Sequence, residues 1–143
     1  MTTINPYLNF LGNTEEAFNF YRSVFGGEFA MLQRFKDVPG SGKAAETDGD
    51  KIMHIALPIG KGNVLMATDA LESMGHTLNV GNNFSLSIST DSDEEADKIF
   101  KALGEGGTIG MPLEKMFWGA YFGMLTDKFG IQWMVSHDQK DIK

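Results

Sequence analysis

Three histidines and no cysteine bound the chemistry open to this 143-residue chain. Without cysteine there is no disulfide, no thiolate metal site and no cysteine nucleophile. His54, in KIMHIALPIG, shares a strand face with Ile52 and Ala56, while Met53, Ile55 and Leu57 take the other. An imidazole so placed is either a hydrogen-bonded wall residue or a general base or donor to a ligand. Asp69, ending the neighbouring strand, is its candidate partner across a hairpin, or else a turn former. His76 falls in a loop and His137 near the tail, and both read as solvated. The acidic pairs Glu15-Glu16 and Glu94-Glu95 fit the first turns of helices, where the dipole favours negative charge, better than a catalytic site. GSGK at 40–43 has Asp37 where a phosphate loop needs its first glycine. GEGGTIG follows a helix instead of opening one and reads as a turn.

The elements that position these residues are legible in outline. NTEEAFNFYRSVFGG starts with Asn13 as a cap, has Glu16 at the third helical position and stops at Gly26. Its Ala17, Phe18, Tyr21, Val24 and Phe25 form an apolar stripe. In SDEEADKIFKALG, Ser92 and Glu95 form a capping box, Gly104 ends the helix, and Ala96, Ile99, Phe100 and Leu103 form the stripe. The stretches before the two helices match: LNFLGNTEEA recurs as LSISTDSDEEA. Three strand-like runs follow each helix, GEFAMLQRF, KIMHIALPIG and NVLMATD, then GTIGMPLE, FWGAYFGMLTD and GIQWMV. The chain therefore repeats a βαβββ unit. The modules cover about 1–69 and 83–137, joined by loop 70–82, and DVPGSGKAAETDGD reads as a mobile loop within the first.

Composition narrows the function classes. Hydrophobic content of 42% and charged content of 22% fit a soluble globular domain, expected in the cytoplasm. A net charge of −7 with no basic run excludes a nucleic-acid surface as partner. The longest apolar run, MFWGAYFGML, is half the ~20 residues a membrane helix requires, so no membrane partner is expected.

PYLNFLGNTEEAFNFYRSVFGGE, LMATDA and FWGAYFGMLTDKFGIQWMV, in this order and spacing, resemble the vicinal oxygen chelate superfamily, and within it the PhnB-like branch. That superfamily includes glyoxalases, bleomycin-binding proteins, fosfomycin-resistance enzymes and extradiol dioxygenases. The resemblance covers almost the whole chain. It implies an α+β glyoxalase-like fold, in which two βαβββ modules form a curved mixed sheet with helices on the convex side. It also implies a homodimer, since members commonly cover exposed strand edges by pairing. The ligand positions of the superfamily's metalloenzymes fall here on Pro6, Met66, Asn83 or Phe84, and Met134, the last following the turn Asp127-Lys128-Phe129-Gly130. None offers imidazole or carboxylate, so no metal and no other cofactor is expected. The branch often carries a demethylubiquinone methyltransferase label. The chain has neither a strand-glycine-helix nucleotide site nor the length for a doubly wound sheet.

Alternation along the aromatic stretch 117–135 completes the expectation. Trp118, Ala120, Phe122 and Met124 share one face, and Phe117, Tyr121 and Leu125 the other. Gln132, Met134 and Ser136 face a ligand side, while Trp133 packs under a helix. The expected site is a largely apolar pocket between the modules, lined by Met66, Asn83, Gln132 and Met134, with His54, Trp118 and Tyr121 as further members. A small ligand of unknown identity is the expected partner. Two alternatives stay open: an enzyme, either metal-dependent of lyase or dioxygenase type or based on His54, and a protein that sequesters a drug or antibiotic stoichiometrically.

Overall fold

The computed structural model describes residues 1–138. The chain divides into two compact units, Met1–Asn79 and a second beginning at Val80. Each is a βαβββ unit, and each forms one four-stranded mixed sheet. The first holds β1 (Tyr7–Phe10), α1 (Thr14–Phe25), β2 (Met31–Arg34), α2 (Lys43–Thr47), β3 (Ile52–Ile59) and β4 (Asn63–Asp69). Its sheet order is β1-β4-β3-β2, with β1 and β4 parallel and the other pairs antiparallel. The second holds β5 (Leu86–Ser89), α3 (Asp93–Gly104), β6 (Thr108–Lys115), β7 (Ala120–Thr126) and β8 (Gln132–Asp138). Its order, β5-β8-β7-β6, repeats the first, with β5 and β8 parallel. The internal duplication seen in the sequence is thus a duplication of topology. No described helix is long and apolar enough to cross a membrane.

In each unit the helix closes one face of the sheet. α1 buries Ala17, Phe18 and Tyr21 completely, over strand residues Leu8, Ile55, Leu57, Leu65 and Ala67. α3 buries Ala96, Ile99, Phe100 and Leu103 above Leu125, Trp133 and Val135. It packs so closely that a Cβ on Gly123 of β7 would sit 2.8 Å from the Phe100 ring, so a side chain there would lift the helix. α1 stops where Gly26 takes φ 79° and returns its N–H to the Arg22 carbonyl.

Four local expectations are corrected. Asn13 makes no side-chain capping bond. The buried carboxylate of Asp69 does that work from β4, accepting from Thr14 N (3.0 Å) and Thr14 Oγ1 (2.6 Å), and from Ile52 N (2.8 Å) with its other oxygen. Asp69 is therefore a structural clamp, and it does not pair with His54. The stretch from Asp37 to Asp50 is not a bare loop. It contains α2, with Ala44 buried, after a 3-10 turn at Phe35–Asp37, and five helical residues are too few to show periodicity. In β3, a bulge changes the pairing from Gln33–His54 to Arg34–Ile52, so Ile52 joins Ile55 in the core while His54 stays on the opposite face. Finally, β7 begins only at Ala120, so Phe117 and Trp118 belong to the preceding turn. The second helix matches expectation: Ser92 Oγ accepts from Glu95 N, and Glu95 Oε1 accepts from Asp91 N.

These caps rank the helix starts by burial. Asp69→Ala should lower stability by about 2–4 kcal/mol, because it strands buried donors. Glu95→Ala should cost about 0.5–1 kcal/mol. The exposed Glu16, which makes no hydrogen bond among the described residues, should cost less than about 0.5 kcal/mol. Urea unfolding of the three variants measures this order, and a neutral Asp69→Ala would refute it.

Candidate functional site: the open faces of the two sheets

Because each helix takes one sheet face, the alternate side chains form a second, open face in each unit. On β4, Met66 lies between buried Leu65 and Ala67 and so points away from α1. Its register partners are Tyr7 on β1 and Ala56 on β3. Asn9, Gln33, His54 and Thr68 share this face. None of these groups is a carboxylate, ammonium or guanidinium. Arg34, on the edge strand, turns to the helix side, where both its terminal nitrogens bond the Glu15 carboxylate at 2.8 and 2.7 Å.

His54 has a partner the sequence did not indicate. The Tyr7 hydroxyl lies 2.9 Å from His54 Nδ1, with the ring centroids 5.6 Å apart. Partial burial raises the Tyr7 pKa, which favours the protonated hydroxyl. With Nδ1 engaged by Tyr7, the other ring nitrogen, Nε2, makes no hydrogen bond among the described residues. A cleft of about 670 Å³ in this unit is lined by Asn9, Phe35, Met53, Thr68, His76 and Leu78, with the buried Asp69 also in its wall. Met53 reaches it through the β3 bulge, a feature with no sequence signal here. His76 is exposed, as expected, but its Nδ1 also accepts the Leu71 N–H at 2.9 Å.

In the second unit Met134 stands between buried Trp133 and Val135, away from α3. Trp133 lies in the core, and its indole N–H donates to buried Asp127 at 2.8 Å. Met124 and Ser87 are the register partners of Met134, and Phe122 that of Ser136. Gln132 is on this face and donates through Nε2 to the Phe84 carbonyl. Asn83 is exposed in the segment before β5, with Phe84 61% exposed beside it. The middle of this face on β5, β7 and β8 is uncharged, and Asp138, which ends β8 opposite Ala120, brings a carboxylate to its margin. Glu114 opposes Phe122 from the edge strand β6. Trp118 is 47% exposed in the turn before β7, with its ring edge-on to Phe122 at 6.2 Å.

Two residues stand elsewhere than expected. Tyr121 pairs with His137 on the helix side of the sheet, and its hydroxyl donates to Asp97 of α3, so it does not share the Met134 face. His137 is not solvated: Nδ1 lies 2.8 Å from Asp93 Oδ1 at the start of α3. Both contacts join a strand to a helix about 24 or 44 residues away, which local patterning cannot show.

The superfamily's metal is not matched by this donor set. Met66 and Met134 offer thioethers where hard or borderline divalent ions need imidazole or carboxylate. Among the described residues no three His, Asp or Glu side chains converge on one point.

A family model described as 3-demethylubiquinone-9 3-methyltransferase matches residues 2–136. The chain belongs to that family. Protein YjdN of Escherichia coli (strain K12) is 31% identical over 140 residues, covering 93% of both chains. The crystal structure of protein PA1353 from Pseudomonas aeruginosa is 40% identical, with a TM-score of 0.85 over 97% of this chain and 99% of that one. A putative 3-demethylubiquinone-9 3-methyltransferase, PhnB protein, from Bacillus cereus is 28% identical, with a TM-score of 0.75 over 95% and 99%. The PhnB-like assignment and the glyoxalase-like α+β fold expected from the sequence are both correct.

Tyr121 provides a pH test of the helix-side geometry. Its hydrogen bond to Asp97, and secondarily burial, push its pKa from 10.0 up to about 12. The protonated phenol is the form the fold favours. Its stabilising contribution is therefore complete below pH 10 and is lost as pH rises towards 12. Asp97→Asn should bring this phenol back towards 10 in an ultraviolet titration. An unchanged titration would show that the bond does not form.

Proposed function

We propose that this PhnB-like protein binds a small, uncharged organic molecule on the open sheet faces, without a metal at the superfamily's ligand positions. Met66 and His54 contribute in the first unit, and Asn83, Gln132, Met134 and Trp118 in the second. The observation that supports this reading is the uncharged centre of each face, where Met66 has Tyr7 and Ala56 as neighbours and Met134 has Ser87 and Met124, with the carboxylates Glu114 and Asp138 at the margin of the second. Burying a charged ligand against thioethers, amides and hydroxyls would leave its charge unpaired, whereas a neutral ligand loses little on desolvation. Methionine adapts to irregular shapes and leaves the faces apolar without making them rigid.

The Tyr7–His54 contact favours a second reading on the same face. With Nδ1 engaged by Tyr7, Nε2 is the ring nitrogen left to meet a bound molecule, a placement that suits acid-base work. Turnover that disappears in His54→Ala while binding persists would establish it, and unchanged turnover in that variant would dismiss it.

A thermal-shift screen with size-matched neutral and charged compounds tests the main reading. Neutral compounds at a hundred times their Kd should raise the melting temperature by about 5–10 °C. Met134→Glu should abolish that shift while the unliganded variant still melts cooperatively. A set of hits made up of anions or cations alone would contradict the proposal.

A further inference from the structure

The open face of the second unit carries three methionines in one row. Met111 on β6 is the register partner of Met124 on β7, and Met124 is that of Met134 on β8. Directly opposed residues on adjacent strands project to the same side, with strands ~4.8 Å apart. Three thioethers therefore stand side by side over ~10 Å, opposite the face covered by α3. Met124 and Met134 are half-buried, and Met111 is 38% exposed. The row ends on β5 at the exposed Ser87.

Two residues along β7 the same face presents Phe122, and Trp118 meets it edge-on at 6.2 Å and 63°. Phe117 lies edge-on to Trp118 in turn, at 5.1 Å and 87°. The result is a polarisable sulfur floor beside an aromatic wall, with hydroxyls at Ser87 and Ser136 and the Glu114 carboxylate at the edge-strand side of Phe122. Aliphatic side chains would give an equally apolar floor. Thioether sulfur adds favourable contacts specific to aromatic rings, and the wall offers edge-to-face packing to a ring but not to a saturated skeleton.

We propose that the Met111–Met124–Met134 row is the floor of a site for a flat, uncharged aromatic ring bearing a hydrogen-bonding group, with Phe122 and Trp118 as its wall. This rests on the ligand-binding reading above and specifies its ligand class. The hydroxyls of Ser87 and Ser136 sit one row apart, where a phenol or amide on the ring's edge can meet them.

Calorimetry with 2-naphthol and with decahydro-2-naphthol, which share size and hydroxyl but differ in aromaticity, tests the proposal. The aromatic alcohol should bind about five- to tenfold more tightly. In Met124→Leu/Met134→Leu, which keeps volume and apolarity, that preference should shrink severalfold while the saturated alcohol binds as before. Trp118→Ala should weaken 2-naphthol alone, and it serves if the double variant fails to fold. Equal affinities in the wild type, or a preference untouched by these variants, overturn the aromatic assignment. So does the failure of 2-naphthol to bind at millimolar concentration. If neutral compounds still stabilise the protein in the thermal screen, the broader ligand-binding reading survives that failure. If none does, both fall.

Discussion

Each sheet in this molecule is covered by one long helix on one side only, and everything else follows from that. The stripe Ala17, Phe18 and Tyr21 on α1, and Ala96, Ile99, Phe100 and Leu103 on α3, must leave water. Burying a side chain such as Phe18 contributes about 1.5–3 kcal/mol. The strands answer with every second residue, and their period of two sends the remaining side chains to the far face. A one-residue slip of β8 would exchange Trp133 for Met134, placing a thioether under α3 and the indole N–H away from Asp127. The Trp133–Asp127 bond and the Asp69 clamp on Thr14 and Ile52 reinforce the register in their respective units.

Much of this parity was legible in the sequence. Buried Trp133 beside outward Met134, the repeated βαβββ order and the extent of α3 follow from apolar spacing and capping residues. What escaped has a common physical origin. Asp69 outcompetes Asn13 as the cap because a buried carboxylate from a distant strand can satisfy two groups of Thr14 at once. The β3 bulge separates Ile52 from His54 because the pairing strand, not the local pattern, decides the phase. Tyr121 leaves the expected site because Asp97, one helix away, supplies its acceptor. Each miss is a tertiary contact that overrides a local rule.

The family to which the chain belongs is described by a methyltransferase activity, and its fold is shared with proteins named for glyoxalase, bleomycin resistance and dioxygenase functions. The fold does not choose among these. The residues themselves are more informative. Met66 and Met134 stand at the middle of the two open faces, hydroxyl and amide side chains lie near them, and the carboxylates Glu114 and Asp138 stand at the margin of the second face. In the first unit, the Tyr7–His54 pair places an imidazole on the open face.

Methyl-labelled methionine spectra provide the most direct measurement of the central claim, that the faces opposite the helices meet a small neutral molecule. The chain has nine methionines, with Met66 and Met134 on the open faces and a single buried indole at Trp133 as an internal reference. On titration with a neutral compound that stabilises the protein, the Met66 or Met134 methyl resonances should move in a saturable way, while the Trp133 indole N–H stays fixed. Shifts confined to Trp133 and helix residues, with both methionine methyls still, would contradict the account.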